Sequence, residues 1–460
     1  MDSTVGHTMR IVTMKSLRNV FGCGLLFLAC CSANGQQILW QFTYDEPQAG
    51  SAASPAVADD GTIHIGTWNT SGTGNKLYAI APDGSKRWEF YTDSRVYTTP
   101  AIGTNGTIYC GDERGRVYAV KPDGTLAWHY DSGMVGVRHL ALSANGTLYA
   151  VGPFYPGATN RNTKSKLVAL SADGAKLWHF IDPAIAPDRQ PVIGEDGTIY
   201  LSTTERFHAL NSDGTVYWTL PLISGTAVIG SNGRIYVFGA DDTPNSLSLL
   251  RALNQDGTAD WTYGGAGNLL LGMDGIIIAG PYAFNPQGGL LWSSSYGFER
   301  GVIGTGGTMY GLIAGKLAAV GSNGGLVWVR SFPSYLTSSP CLKPDGTLYI
   351  ASATHLYAVK VSCGMANTPW PMDGHDLRRT GQAGPGSPIR PCLSALRLAP
   401  GRGFQFTMIG EVGAHYRIQT STNLTDWDDW ANLFASNNLS HFTDTAASNG
   451  QRRFYRAVAP

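Results

Sequence analysis

A short hairpin signal recurs along this chain, and its recurrence limits the possible folds more than any other feature. ADDGTIHIG (58–66), TNGTIYCG (104–111), ANGTLYAV (144–151), EDGTIYLS (195–202), SNGRIYVF (231–238), MDGIIIAG (273–280), GGTMYG (306–311) and PDGTLYIA (344–351) make eight copies. A second turn follows the first seven of them: APDGSKRW (81–88), KPDGTLAW (121–128), SADGAKLW (171–178), NSDGTVYW (211–218), NQDGTADW (254–261), NPQGGLLW (285–292) and GSNGGLVW (321–328). Asp-Gly or Asn-Gly between apolar runs makes a tight hairpin, because glycine accepts the positive φ that such turns need. Each unit therefore carries four short strands, A to D, in a length suited to a propeller blade. The 58 glycines and the 11% of aromatic residues fit an all-β chain of this kind.

The register within units is tight. Five residues before each second-turn glycine stands Ala79, Ala119, Ala169, Ala209, Ala252, Ala283 or Ala319, with Ala358 in the matching place of the last unit. So small a side chain at every repeat suggests close approach of neighbouring sheets. Four residues after each turn glycine stands Trp88, Trp128, Trp178, Trp218, Trp261, Trp292 or Trp328, a spacing expected to fill the gap between splayed blades. The eighth unit departs from this, with Cys363 in the glycine position and no Trp after it. The segment QQILWQF from Gln36, with Trp40, reads as a lone D strand. Eight complete units result if residues 36–43 finish the blade begun by 337–360, which leaves no free sheet edge. The expected fold is all-β: an eight-bladed propeller closed by its N-terminal strand, with a small C-terminal β-sandwich.

These residues resemble the pyrroloquinoline-quinone (PQQ)-type propeller repeat, DGT-[IL]-Y-x-G … LYA-x-x-x-DG-x-x-x-W, over about 36–381. The resemblance implies the fold more strongly than any activity. Proteins with this repeat range from quinone-dependent dehydrogenases to an outer-membrane assembly lipoprotein that serves as a scaffold. The dehydrogenases carry adjacent cysteines over the cofactor and a calcium set in long insertions; here the one adjacent pair, Cys30-Cys31, lies in the leader region, and no such insertions occur. No cofactor and no metal is expected, and the sequence argues against PQQ. Nor is there an EF-hand, GxSxG, HExxH or P-loop pattern. His64, His129, His179, His208 and His355 fall on strand positions that read as packing rather than ligation.

Residues 1–35 read as a signal peptide, with Met14 as the natural start, a basic Lys15–Arg18 region, an apolar core at 20–31 too short to span a membrane, and a cleavage site at Ala33-Asn34-Gly35. A lipid anchor on Cys30 is the rival reading. Either way the protein is expected to be exported, in the periplasm, at the cell surface or outside the cell. Lys+Arg 33 balance Asp+Glu 33, which argues against nucleic acid or an anionic membrane as partner. No membrane span and no sign of oligomerisation is read, so a monomer is expected. Four cysteines follow the leader, and a bridge between Cys363 and Cys392 is compatible with export.

The B–C and D–A connections vary in length (67–75, 152–165 and 239–248 are the long B–C ones) and share one face of the disc, the default binding face of a repeat protein. Seven residues before each first-turn glycine stand Ser54, Thr99, His139, Gln190, Thr226, Asn268, Arg300 and Ser339, polar throughout. With Arg95, Arg138, Asp188, Arg189 and Glu299 beside them, this ring should line the channel mouth. It could satisfy backbone groups near the axis or hold a polar ligand.

The segment PWPMDGHDLRRTG, from Pro369 to Gly381, looks like an active site but resembles the closing segment of exported repeat propellers in Trp370, Pro371, Met372, His375, Asp376, Thr380 and Gly381. Asp373-Gly374 departs from that pattern. The resemblance implies structural closure, with Trp40, Trp370, His375 and Asp376 tying the ring shut. After a Gly/Pro linker (382–391), residues 392–460 resemble a small β-sandwich module that ends many secreted bacterial proteins, with Trp427, Trp430, Phe454 and Tyr455 expected to pack. The functional expectation is a non-enzymatic propeller that binds a protein or glycan at the cell surface through the variable-loop face. The alternative is a carbohydrate-active or oxidoreductase enzyme at the channel mouth.

Overall fold

The computed structural model describes residues 36–382 and 392–458, apart from 46–52, 69–74, 157–162, 184–188, 222, 232, 241–247, 266, 273–274, 367, 369–370 and 377 in the first stretch and 400–402, 410–414, 424, 435–438 and 445–453 in the second. The expected leader, Asp188, Trp370, nearly all of the linker and the tips of the three long B–C connections lie outside the described residues.

Eight four-stranded antiparallel sheets follow one another along the chain. Blades 1 to 7 span 56–91, 101–131, 139–182, 192–221, 223–264, 269–293 and 301–330, each in the order A-B-C-D. Blade 8 takes strands A to C from 341–360 and its D strand from Gln37–Thr43, which pairs antiparallel with His355–Lys360. The expected closure by the first strand is thus the observed one. Every first-turn and second-turn glycine named above in blades 1 to 7 has positive φ, as the hairpin chemistry requires.

The repeated alanine has a reason that the sequence reading did not give. Across each blade, strand B places an aromatic or apolar residue, strand C the alanine and strand D the tryptophan in one row, as in Tyr149↔Ala169↔Trp178 and Tyr236↔Ala252↔Trp261. The indole passes over the alanine and packs on the tyrosine beyond it, with ring centres 5.8 Å apart in blade 3 and 6.0 Å in blade 5. A larger residue on strand C would block this contact. In blade 1 the row carries His64 in place of Tyr, buried against Trp88 with centres 5.4 Å apart. Burial pushes the His64 ring down to about 4, so it is neutral at ordinary pH and serves as packing.

The same indoles join the blades. Nε1 of Trp40, Trp88, Trp128, Trp178, Trp218 and Trp261 donates to a carbonyl in the second turn of the next blade, at 2.7–3.0 Å. The ring lies flat against that turn's glycine: a Cβ on Gly174 would meet the Trp128 ring at 2.7 Å. The turn glycine is therefore required twice, by its φ of 90° and by the neighbour's indole.

The second compact unit holds Ser387–Pro460. Two three-stranded antiparallel sheets, Cys392–Ala399 with Gly403–Ile409 and Leu439–Asp444, and Asp428–Phe434 with His415–Ser421 and Phe454–Val458, enclose one core of Phe404, Tyr416, Ile418 and Tyr455. Phe454 and Tyr455 are buried, Trp430 packs against the core, and Trp427 is covered by the Arg456 guanidinium 4.3 Å from its ring centre.

The two roles of the turn glycine can be separated. Gly306→Ala meets nothing at its Cβ and should cost only the strain of positive φ, about 1–2 kcal/mol. Gly174→Ala carries the same strain and also displaces Trp128, losing packing and a hydrogen bond of about 1 kcal/mol. Urea midpoints should fall distinctly further for Gly174→Ala; equal shifts would remove the indole from the account.

Candidate functional site

The inner strands bring the start of every A strand to the axis, and a single segment crosses the axis below them. Residues 364–382 bond to blade after blade. The amides of Ile102, Leu142, Ile193 and Ile303 donate to the carbonyls of Arg378, Thr380, Gly381 and Pro371 at 2.8–3.0 Å. Each donor lies three residues beyond a position of the polar ring. The Thr368 hydroxyl donates to Leu271 O at 2.6 Å. Arg379, 2% exposed, donates to the carbonyls of Pro55, Ser339 and Pro340 at 3.1–3.3 Å and to the carbonyl of Asp373. On the outside, Arg378 pairs with Asp59 at 2.6 Å. Among the described residues the segment is thus bonded to seven blades, all but the fifth. It is a plug across the whole ring, where the sequence suggested a tie to the closing blades.

Asp376 has a role within the segment. Asp376 accepts bonds from the Thr380 amide and hydroxyl at 3.0 and 2.9 Å, which fold the plug itself, and lies 3.7 Å from the His375 ring. His375 (φ 74°) and Arg379 (φ 58°) are two of three non-glycine residues with positive φ among the described residues. Such backbone persists only where surrounding bonds enforce it. Arg378, Arg379 and main-chain groups make the ties to the blades. Trp40 does close the ring, through Pro82 and Tyr349. Cys363 carries a free thiol, and the Cys392 side chain lies outside the described residues.

Above the plug opens a bowl of about 760 Å3. Seven of the eight ring positions line it, together with Arg138, Arg189 and Glu299. The eighth, Ser339, is screened by Asp373, whose carboxylate accepts its hydroxyl at 2.6 Å. Asp373 and Gly374 form the floor. Asp373 was not foreseen as a site residue; its departure from the closing-segment pattern was the one signal in the sequence. Tyr97 also lines the bowl unforeseen. Arg95 does not line it: it lies over the Trp68 ring, bonds the Tyr97 hydroxyl at 3.3 Å and stands 3.7 Å from Glu113.

The ring divides into two parts. Ser54, Thr99 and Ser339 bind one another and the backbone across blades 8, 1 and 2, and Gln190 donates to Leu140 O at 2.7 Å and to Arg379 O at 3.2 Å. These do the structural work of satisfying groups near the axis. Arg138 and Arg189, on adjacent blades, make no ion pair among the described residues; Arg138 rests over the Tyr97 ring at 5.6 Å. Arg300 bonds Thr337 O at 2.6 Å with one of its donors. At the floor, desolvation would raise the Asp373 carboxyl; the Arg379 charge, the Ser339 bond and the charges of Arg300 and His139 outweigh it and hold the carboxyl below its usual range.

A family model described as outer membrane protein assembly factor BamB matches residues 28–178 and 163–276, more than half of the 460 residues. The chain belongs to this PQQ-repeat family. Solved propellers agree in fold. BamB from Moraxella catarrhalis superposes with a TM-score of 0.51 at 15% identity, over 71% of this chain and 99% of that one. A europium-containing methanol dehydrogenase gives 0.55 at 11% identity, over 73% and 95%, and the Dos1 propeller 0.53 at 11%, over 71% and 95%. No curated protein has a matching sequence.

This BamB-family chain shares its fold with a metal-containing dehydrogenase. Among the described residues the carboxylates of the bowl are Asp373, tied to Ser339 and Arg379, and Glu299, and no group of three His, Cys, Asp or Glu is placed to hold a metal. Cys110 on blade 2 and Cys341 on blade 8 are buried, and burial pushes both thiols up.

The plug should be sensitive to acid. At Asp376 desolvation would raise the carboxyl, and the His375 ring and Thr380 outweigh it, leaving a net downward shift. A folded-state value below the unfolded one, ~3.9, gives stability that is complete above that pH and lost as pH falls through the folded value. The urea midpoint of Asp376→Asn should therefore lie below wild type at pH 7, with the gap closing as pH falls below the unfolded value. A gap independent of pH would show that the charge contributes nothing.

Proposed function

We propose that this chain is an exported, non-catalytic propeller that captures a protein or glycan partner on the face that carries the bowl. The observation that carries the reading is the bowl itself: a polar cavity of about 760 Å3, within the range of about 300–1,000 Å3 usual for ligand pockets, with guanidinium groups on blades 3 and 4 left without ion pairs among the described residues. By strand order, the B–C and D–A connections leave and enter the sheets on this face. Export rests on the basic and apolar leader at 15–31, and partner binding is in keeping with membership of a family described by an assembly factor.

The alternative, an enzyme at the same mouth, draws on Asp373 and His139 sharing the floor. A general base must be able to take up a proton near working pH, and Arg379 and Ser339 hold Asp373 ionised far below it. That favours binding over turnover.

The test is capture of partners from the producing cell's surface fraction and from a glycan array by wild type and by Arg138→Ala plus Arg300→Ala. The double variant should unfold at an unchanged urea midpoint, within about 0.5 kcal/mol, because both side chains are exposed. It should lose the captured partner. Undiminished capture would move the binding surface elsewhere.

A further inference from the structure

The lining of the bowl is specific enough to indicate a ligand class. Its larger apolar residues turn away: Leu140 is 2% exposed, Val192 5%, Val228 1%, Leu269 3% and Leu270 5%, so they give the bowl backbone rather than side chains. A peptide end would find no apolar pocket for its side chains, which is the usual source of peptide specificity. What faces the cavity is amide, hydroxyl, guanidinium, imidazole and one half-buried tyrosine ring.

Charge is distributed unevenly around the axis. Asp373 is compensated from below by Arg379, and Glu299 stands next to Arg300 on blade 7. Arg138 and Arg189 stand on blades 3 and 4 without an ion pair among the described residues, while His139 between them lends its charge to Asp373 at the floor. A guanidinium presents a planar fork of donors that matches a carboxylate. Blades 5 to 7 offer Thr226, Asn268 and Glu299, which suit hydroxyl groups.

We propose that the bowl binds the end of an acidic glycan, with a sugar carboxylate held by Arg138 and Arg189 and the hydroxyls bound by the neutral polar groups around them. The proposal rests on the reading of this face as the binding face and adds the chemistry of the ligand. Tyr97, already under the Arg138 guanidinium, supplies an apolar ring face at the same edge. The site reads charge in one half and hydroxyls in the other, so neither a neutral sugar nor a simple carboxylate would use all of it.

Titration calorimetry of the purified protein with tri-galacturonate, its methyl ester, maltotriose and tri-alanine tests this. Tri-galacturonate should bind, and more weakly as salt is raised. Esterification, which removes charge and leaves shape and hydroxyls, should weaken binding about ten- to a hundredfold, as should Arg138→Ala or Arg189→Ala. Equal binding of acid and ester, or tighter binding of maltotriose or tri-alanine, would overturn the acidic-glycan assignment. If no probe binds while partner capture is still lost in Arg138→Ala plus Arg300→Ala, the assignment fails and the binding face stands. If capture is also unaffected, both fail. The ester comparison needs no variant, so a folding defect cannot decide the result.

Discussion

An indole laid against the turn glycine of the next blade is the contact on which the rest of this protein depends. It sets the angle between blades, and the angle sets how many blades close a ring. It also explains why tryptophan, alanine and glycine recur together: the alanine lets the indole reach across its own blade, and the glycine lets it rest on the neighbour. The joint between blades 7 and 8 lacks this pair, because Cys363 replaces the glycine. There the plug begins. Thr305 N donates to Gly364 O, Ala366 N to Ile303 O and Met365 N to Lys343 O, at 2.8–3.1 Å, so main-chain bonds join the two blades where an indole does so elsewhere.

Having replaced one joint, the same segment goes on to floor the channel. Its cost is a buried guanidinium and two residues in left-handed backbone. Charge buried without partners would cost several kcal/mol, and Arg379 avoids this by facing carbonyls from blades 1 and 8 and a carboxylate above it. Closure and site are therefore one device. The residue that screens Ser339 and is compensated by Arg379 is also the residue that gives the bowl its floor.

The fold was legible because hairpin chemistry is local and repeats: Gly-containing turns, alternating apolar strands and a lone D strand at Trp40 specify a closed ring. The polar ring was legible for the same reason, since a fixed offset from a turn glycine becomes a fixed height on the axis. What could not be read was the path of a non-repeating segment. Asp373 and Asp376 lie three residues apart, yet one faces the bowl and the other bonds Thr380 within the plug, and only the crossing decides which. Arg95 shows the converse: its position suggested the mouth, but Trp68 and Glu113, on the B–C connections of blades 1 and 2, draw it away from the bowl. The alanine repeat was noticed but the indole crossing it was not, because a pattern along one strand does not reveal what passes over it.

The central claim, that the bowl-bearing face is where this protein meets its partner, is tested most directly by hydrogen exchange of the protein with and without its captured ligand. The account predicts new protection at the starts of the A strands around residues 97–99, 138–140, 189–190, 226–228 and 268–270, and at Asp373-Gly374 in the plug. Protection confined to the Gly-turn face of the disc, or to residues 392–458, would contradict it.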